Sequence, residues 1–339
     1  MSEALEPLAP AEAKEMFLAE RRGQVAERTV QADHYRLKHF IRWMEDNEIG
    51  DMNDLGGRLL HEFRLWRKED GDLNKVSLRT QLKSLRVFIK WCESIDAVEK
   101  NLHEKILLPT PSAEEERREE TLRTGQAEEL LDYLRRFEYA SRAHTIIELI
   151  WHTGLRIGAV YSLDVEDYDS ENERLELHHR PDTGTTLKNK SEGERMIALS
   201  RHQCEVLDDW IEHTRPKTTD EHGRKPLLTS ENGRLKVTTM RETIYSVTRP
   251  CYYSNECPHN RDKDDCEATR YGYRSKCPSS VSPHSIRRGA ITNFLTKDVP
   301  EKVVSDRMNV GQEVLDKHYD QRSESVKAEQ RRSYLPGSS

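Results

Sequence analysis

The sequence contains no long apolar run, no net positive charge and few cysteines for its length. No stretch approaches the roughly 20 apolar residues that a bilayer-spanning helix needs. The N-terminus also lacks the basic-then-apolar pattern of a secretory signal. The six cysteines are therefore not expected to form a disulfide framework, which is typical of small secreted chains. These absences predict a soluble, cytoplasmic protein with no membrane partner.

Charge is distributed unevenly along the chain. Lys and Arg total 54 against 61 Asp and Glu, and the formal net charge of -7 does not by itself indicate a nucleic-acid partner. Residues 270–339 nevertheless carry thirteen Lys or Arg against eight Asp or Glu, whereas residues 111–120 carry five Glu against two Arg. Any surface that binds nucleic acid must therefore be local.

The first part of the chain is patterned as helices. A length of 339 residues suits two domains, each with its own core. Leu37, Phe40, Ile41 and Met44 recur at the spacing of one helix face, which predicts a helix docked on a core.

A second predicted helix carries two stripes. Its apolar stripe is formed by Leu78, Leu82, Leu85 and Ile89. The other stripe is basic and is a candidate phosphate-facing surface, with a solvated helix face as the alternative interpretation. The basic residues are Arg79, Lys83, Arg86 and Lys90.

The apolar period breaks after residue 108, where two prolines precede the acidic run, and this indicates a linker over 109–120. Beyond it, 127–137 and 140–151 are patterned as helices. The alternating segment 174–179 and the segment 196–199 predict two strands of a hairpin. Helical periodicity resumes at Ser285.

Three short motifs follow one another in the second part. Thr153-Gly-Leu-Arg156 is followed by Leu-x-x-x-Asp ending at Asp167, and later come Pro283-His-Ser-Ile-Arg287 and Lys317-His-Tyr-Asp320. Each motif alone is weak, but their order and separations resemble those of tyrosine recombinases, the phage-integrase and Xer family. Through these motifs, the resemblance extends over residues of about 120 to 322.

The resemblance implies an active site built from Arg156, His284, Arg287 and Tyr319. Two arginines suit phosphoryl transfer, because guanidinium groups stay charged and bind phosphate oxygens bidentately. A tyrosine with a pKa near ~10 needs such a cationic pocket to attack phosphorus. His284 is expected to donate to the phosphate or to shuttle a proton. The product would be a 3′-phosphotyrosine ester, formed without a cofactor.

The family assigns protonation of the leaving 5′ oxygen to a lysine in a β-hairpin turn. Aligning Glu194-Arg195 with the end of that hairpin favours Lys190, with Lys188 as the alternative.

One position departs from the family pattern. Where the family carries a His or Trp nine residues before the tyrosine, this chain has Val310, which cannot donate a hydrogen bond. Three interpretations are open. The hydrogen bond that the family's His or Trp would donate to the phosphate is dispensable here, or His318 or Lys317 donates it instead, or the protein is slow or inactive.

Four cysteines lie in a polar insertion, 250–278, that has few apolar residues to fold around. A structural Zn²⁺ would organise such a segment. Its expected ligands are Cys251, Cys257, Cys266 and Cys277, with His259 as a possible substitute and free thiols as the alternative. Cys92 and Cys204 lie on apolar helical patterns and are expected to be buried.

The sequence thus predicts a mainly α protein with a small antiparallel β-sheet in the C-terminal domain, in the two-domain architecture of DNA-breaking-rejoining enzymes. The resemblance implies a helical, SAM-like DNA-binding domain over 15–108, the linker and a catalytic domain over 121–336. Double-stranded DNA and further copies of the chain, four in the assembly, are the expected partners, with segment 321–335 exchanged between copies. The alternatives are an inactive DNA-binding regulator and a zinc metalloenzyme. A closed four-thiol site argues against the metalloenzyme, because catalytic zinc keeps an open position.

Overall fold

Two structural units make up the chain, Met1–Arg118 and Glu119–Ser339. The computed structural model describes residues 5–112, 115, 121–318, 322 and 324–332. Within these ranges the protein is mostly helical with two small antiparallel sheets, so the predicted fold class is confirmed. None of the helices in these ranges is long and apolar enough to cross a membrane. The boundary at residue 118 falls inside the stretch predicted as the linker.

The first unit is a helical bundle around an aromatic core. The helices are α1 (Pro10–Arg21), α2 (Glu27–Asp46), α3 (Gly57–Asp70) and α4 (Lys75–Ser94). Phe40 of α2 makes edge contacts with Phe63 of α3 at 5.0 Å and with Phe88 of α4 at 6.4 Å between ring centroids. Because α1 begins at Pro10 and buries Phe17 in this core, the unit begins before the predicted boundary at residue 15.

The two apolar stripes predicted in this unit are confirmed. All eight stripe residues are buried, four on α2 and four on α4. Cys92 is also buried, at the end of α4. The side chain of Asn74 accepts a hydrogen bond from the Ser77 amide at 2.9 Å and so caps the first turn of α4.

The second unit wraps helices around one central helix. These helices are α5 (Thr124–Phe137), α6 (Arg142–Thr153), α7 (Ile157–Ser162), α8 (Arg201–Asp209), α9 (Val237–Val247), α10 (Pro250–Tyr253), α11 (Pro283–Thr296), α12 (Glu301–Met308), α13 (Gln312–His318) and α14 (Glu324–Arg332). Helix α6 is buried along most of its length and packs against α5, α9 and α11. It begins two residues after the predicted start, because Ala140 has a left-handed backbone and Ser141 caps the His144 amide.

The predicted hairpin is present in a three-stranded antiparallel sheet. Its strands are β1 (Tyr168–Asp169), β2 (Arg174–Leu177) and β3 (Arg195–Ala198), with Leu175 opposite Ile197 in the register. A second sheet pairs β4 (Thr229–Ser230) with β5 (Gly233–Arg234). The long β2–β3 loop, residues 178–194, carries both candidate lysines.

Helix α6 is followed directly by Gly154, which has a left-handed backbone with φ of +62°. A Cβ atom at this position would lie 2.4 Å from the Met308 sulfur at the end of α12. Glycine is therefore required both by the turn and by the contact between the two helix ends.

Replacing Gly154 with alanine is expected to destabilise the second unit by about 2–4 kcal/mol, since it adds left-handed strain and a steric clash. Urea unfolding of the full chain measures the change. Gly158→Ala is the matched control: a Cβ there meets no atom within 4 Å, and alanine favours helix α7. Equal urea-unfolding midpoints for the two variants would contradict the close contact between Gly154 and Met308.

Candidate active site

Arg156 lies directly after the Gly154 turn and immediately precedes α7. Its side chain is half-buried, and its Nη1 donates a hydrogen bond to the backbone carbonyl of Asn309 at 2.9 Å. The turn at the end of α6 and the end of α12 thus meet at this guanidinium group.

Helix α11 brings the second predicted arginine to the same place. Its first turn is capped by Ser282, whose hydroxyl accepts from the Ser285 amide at 3.2 Å. Arg287 is only 1% exposed. One of its nitrogens donates to the Gly154 carbonyl and the other to the Met308 carbonyl at 2.8 Å.

The end of α12 collects guanidinium groups from three separate elements. The last carbonyls of a helix have no partner within the helix and carry partial negative charge, so they attract cations. Here three consecutive carbonyls, those of residues 307, 308 and 309, each accept from a different arginine. The donors are, in that order, Arg195 at 2.8 Å, Arg287 at 2.8 Å and Arg156 at 2.9 Å.

His284 shares this positively charged region. Its ring is exposed at the surface of the site, yet partial desolvation, followed by the charges of Arg288, Arg287, Arg156 and Lys188, lowers the pKa of the imidazole to about 4. The imidazole is therefore neutral at neutral pH. The structure brings His284 together with both predicted arginines, and the site is cationic without any charge on the histidine.

The two candidate lysines both lie in the β2–β3 loop. Lys188 is one of the charges that act on His284. Lys190 begins the 3-10 helix Lys190–Gly193 with a left-handed backbone, φ +53°. Both side chains are exposed. The charge of Lys188 is therefore close enough to act on the histidine of the site.

Val310 is buried at 4% exposure and packs into a small apolar cluster beside the site. Its backbone amide donates to the Ser305 carbonyl at 3.0 Å, and its own carbonyl accepts from the Ser305 hydroxyl at 2.6 Å. Its role is therefore packing.

Tyr319 lies outside the described residues, as do the side chains of Lys317 and His318, and segment 321–335 is described only in part.

Two arginines of the site are not among the predicted catalytic residues. Arg307 donates to the His152 carbonyl at 3.2 Å and lies over the Phe294 ring. Burial, together with the neighbouring charges of Arg156 and Arg307, lowers the pKa of Arg195 to about 10. The sequence signal for Arg195 is its place in the Glu194-Arg195 pair that closes the hairpin.

The basic stripe of α4 is partly engaged within the first unit. Arg79 donates to the Pro109 carbonyl at 3.2 Å, and Arg86 donates to the Ile106 carbonyl. Lys83 and Lys90 are exposed. The two arginines thus tie α4 to the chain that follows it, and the two lysines face solvent.

The Cys-rich insertion is folded as turns that are tied to one another. Arg249, which precedes α10, donates to the Ala268 carbonyl at 2.8 Å. A contact of 2.9 Å joins His259 and Ser279, and an ion pair of 2.7 Å joins Lys276 and Glu267.

These ties connect the turns that carry the four cysteines, all of which are free thiols. Burial raises the pKa of the Cys251 thiol; Arg249 opposes this, and Cys277 and Cys257 add to it. Across the described residues, no three His, Cys, Asp or Glu side chains are grouped so as to hold a metal ion. Cys204, outside the insertion, is buried as predicted.

Sequence comparison finds relatives over most of the chain. The model of the phage integrase family matches residues 120–310, more than half of the sequence. The tyrosine recombinase XerD of Staphylococcus epidermidis is 21% identical over 283 residues, covering 83% of each chain. XerD of Mycobacterium tuberculosis is 23% identical over 296 residues, again with 83% coverage of both.

Solved structures with a similar fold include two integrases. The Tn1549 transposon integrase, in complex with a circular intermediate DNA, superposes with a TM-score of 0.67 at 16% identity, covering 96% of this chain and 99% of its own. A lambda integrase dimer bound to a COC′ core site gives a TM-score of 0.59 at 10% identity, covering 96% of this chain and 78% of its own.

Proposed function

Because the chain belongs to the phage integrase family, we propose that it is a site-specific recombinase that cuts and rejoins DNA through a covalent bond between Tyr319 and a 3′ phosphate. The observation that carries the proposal is the meeting of Arg156 and Arg287 at the end of α12 beside a neutral His284. One buried and one half-buried guanidinium group, held side by side, suit a phosphodiester and its transition state.

The proposed chemistry follows from charge. When a nucleophile attacks the phosphodiester, negative charge grows on the non-bridging oxygens, and the fixed guanidinium groups of Arg156 and Arg287 stabilise it. The Tyr319 oxygen bonds to phosphorus and the bond to the 5′ oxygen breaks. Neutral His284 can take the phenol proton, because a bound phosphate opposes the cationic field that lowers its pKa.

For the leaving group we propose Lys188 in place of Lys190. The departing 5′ oxygen needs a proton, and the ammonium group of Lys188 lies in the electrostatic neighbourhood of His284. The phosphotyrosine ester between protein and DNA retains the energy of the broken bond. A second DNA end can therefore attack its phosphorus and displace the tyrosine without a nucleotide cofactor.

Binding of duplex DNA is expected to use both units. Lys83 and Lys90 are exposed on α4 and suit phosphate contacts, which give salt-dependent affinity, while Arg79 and Arg86 have backbone partners. We propose that several copies, four in the complete assembly, act together in the cytoplasm, with residues 321–335 contributing to their association.

Covalent capture tests the proposal. The full chain is incubated with duplexes of random sequence that carry a nick in one strand. After cleavage, the short fragment between the cleaved bond and the nick diffuses away, so the strand cannot be rejoined. The expected result is a denaturation-resistant protein–DNA complex whose peptide map places the nucleotide on Tyr319. The recovered DNA then defines a target duplex for kinetics.

The second candidate is a DNA-binding regulator without catalysis, favoured by the buried Val310 in place of a hydrogen-bond donor. A regulator would retain duplexes in a filter-binding assay and yield no covalent complex at any concentration of protein. That result would replace the recombinase by the regulator.

We also propose that the Cys-rich insertion binds one structural Zn²⁺. Its support is the donor chemistry: four thiols on mutually tied turns, within a segment that buries few apolar side chains. Backbone amides of Arg261 and His259 donate to the Cys257 sulfur and lower its pKa, which favours the thiolate that zinc requires. Cys251, Cys257, Cys266 and Cys277 would hold the ion.

Purified protein is accordingly expected to contain one zinc per chain by elemental analysis. Cys266→Ser should lose the metal and unfold at lower temperature, because metal binding contributes folding free energy. Cys204→Ala, which lies outside the insertion, is the control and should keep its zinc. A metal-free wild type whose stability is unchanged by Cys266→Ser would contradict the site.

A further inference from the structure

We propose that Asn309 is a positioning residue whose side-chain amide holds the tip of the β2–β3 loop, and with it Lys188, at the arginine cluster. The inference rests on the proposed function, because only a strand-cleaving enzyme needs an ammonium group held beside the phosphate. The contact between the side chains of Asn309 and Asn189 is called the amide latch below.

The amide latch joins two elements of the site through one residue. The Oδ1 of Asn309 accepts a hydrogen bond from the Nδ2 of Asn189 at 2.7 Å, and Asn189 directly follows Lys188. The backbone carbonyl of Asn309 simultaneously accepts from Arg156 at 2.9 Å. Asn309 therefore fixes the loop and one phosphate-binding arginine to the same helix end.

The backbone at Asn309 suits this task. It has φ of +49°, a left-handed conformation that asparagine tolerates better than most residues, and it follows the last residue of α12. On the loop side, a Cβ atom at Gly193 would lie 3.3 Å from the Nδ2 of Asn309. The bare backbone of Gly193 thus lets the amide lie close against the loop.

The loop needs such a contact at its tip. Lys188 and Asn189 are exposed, and a long exposed side chain on a loop loses conformational freedom when it is placed at a reacting atom. Arg195 already ties the base of the hairpin to α12 through the Arg307 carbonyl. The amide latch adds the second attachment, next to the lysine.

A bridging-sulfur substrate distinguishes positioning of the lysine from other roles. With ordinary DNA, the bond between phosphorus and the 5′ oxygen breaks and this oxygen takes a proton from Lys188. When sulfur replaces the 5′ oxygen, the bond between phosphorus and sulfur breaks and a thiolate leaves without a proton, since thiols are far more acidic than alcohols. A defect in placing Lys188 should therefore disappear with the sulfur substrate.

The variants are Asn309→Gly, which keeps the left-handed backbone and the carbonyl bonded to Arg156, Asn189→Ala on the exposed loop, and the double variant. On the captured duplex, each single variant is expected to slow cleavage about tenfold, and the double variant no further, because both remove one contact. On the sulfur duplex all three should cleave within about twofold of wild type.

Two patterns would overturn the amide latch: wild-type cleavage rates in the variants, or additive losses that the sulfur duplex does not rescue. Additive unrescued losses would indicate a direct contact of Asn309 with the phosphate or a structural defect. Unfolding midpoints of the variants separate these last two. A wild-type chain that forms no covalent complex would instead overturn the proposed function and the amide latch together.

Discussion

Replacing Tyr319 with phenylalanine is expected to abolish the covalent protein–DNA complex while leaving DNA affinity within about twofold of wild type. The substitution removes only the nucleophilic oxygen. Affinity comes mostly from phosphate contacts made by cationic side chains, which this change does not touch. Denaturing gels with the captured duplex measure the complex, and filter binding at fixed salt concentration measures the affinity.

Tyr35→Phe is the matched control, because it makes the same chemical change at an exposed tyrosine of α2, outside both the proposed site and segment 321–335. This variant should form the covalent complex at the wild-type rate. A covalent complex formed by Tyr319→Phe would show that another residue attacks the phosphate. The predicted third motif would then be wrong.

Replacing Lys188 with alanine is expected to slow strand cleavage by about 100-fold or more, the usual contribution of a general acid. The reason is the poor leaving ability of an unprotonated alkoxide. The expected effect is larger than that of breaking the amide latch, because alanine removes the acid itself. Single-turnover cleavage of the captured duplex gives the rate.

Lys190→Ala provides the comparison within the same loop. It removes an equal charge two residues away and should change the rate by no more than about threefold. The opposite order, with Lys190→Ala the slower variant, would restore the assignment that the sequence favours. Loss of rate in neither variant would mean that another group protonates the leaving oxygen.

Much of the fold can be predicted because its signals are local. The stripes of α2 and α4 place leucines at the spacing of one helix face, and the structure buries them. The start of α12 also has a local signal, because Pro300 immediately precedes the first residue of this helix. Helix starts that depend on backbone conformation, as at Ala140, are less visible in the sequence.

The candidate site is predicted less evenly. Arg156 and His284 stand in recognisable motifs, and the structure places them near each other. The acceptors that hold the arginines are main-chain carbonyls, which every residue has, so no sequence pattern marks them. The choice between Lys188 and Lys190 depends on how one loop curls. That detail is set by contacts such as the one between Asn189 and Asn309.

Because three carbonyls at the end of α12 bind arginines, the number of residues in this helix is constrained more strongly than the identity of its side chains. A substitution on its exposed side leaves the carbonyl oxygens where they are. One inserted residue would turn every later carbonyl by about 100° and advance it by about 1.5 Å. All three guanidinium groups would then lose their acceptors at once. Natural variation along α12 is therefore expected to consist of exchanged side chains and to spare the number of residues between Pro300 and Asn309.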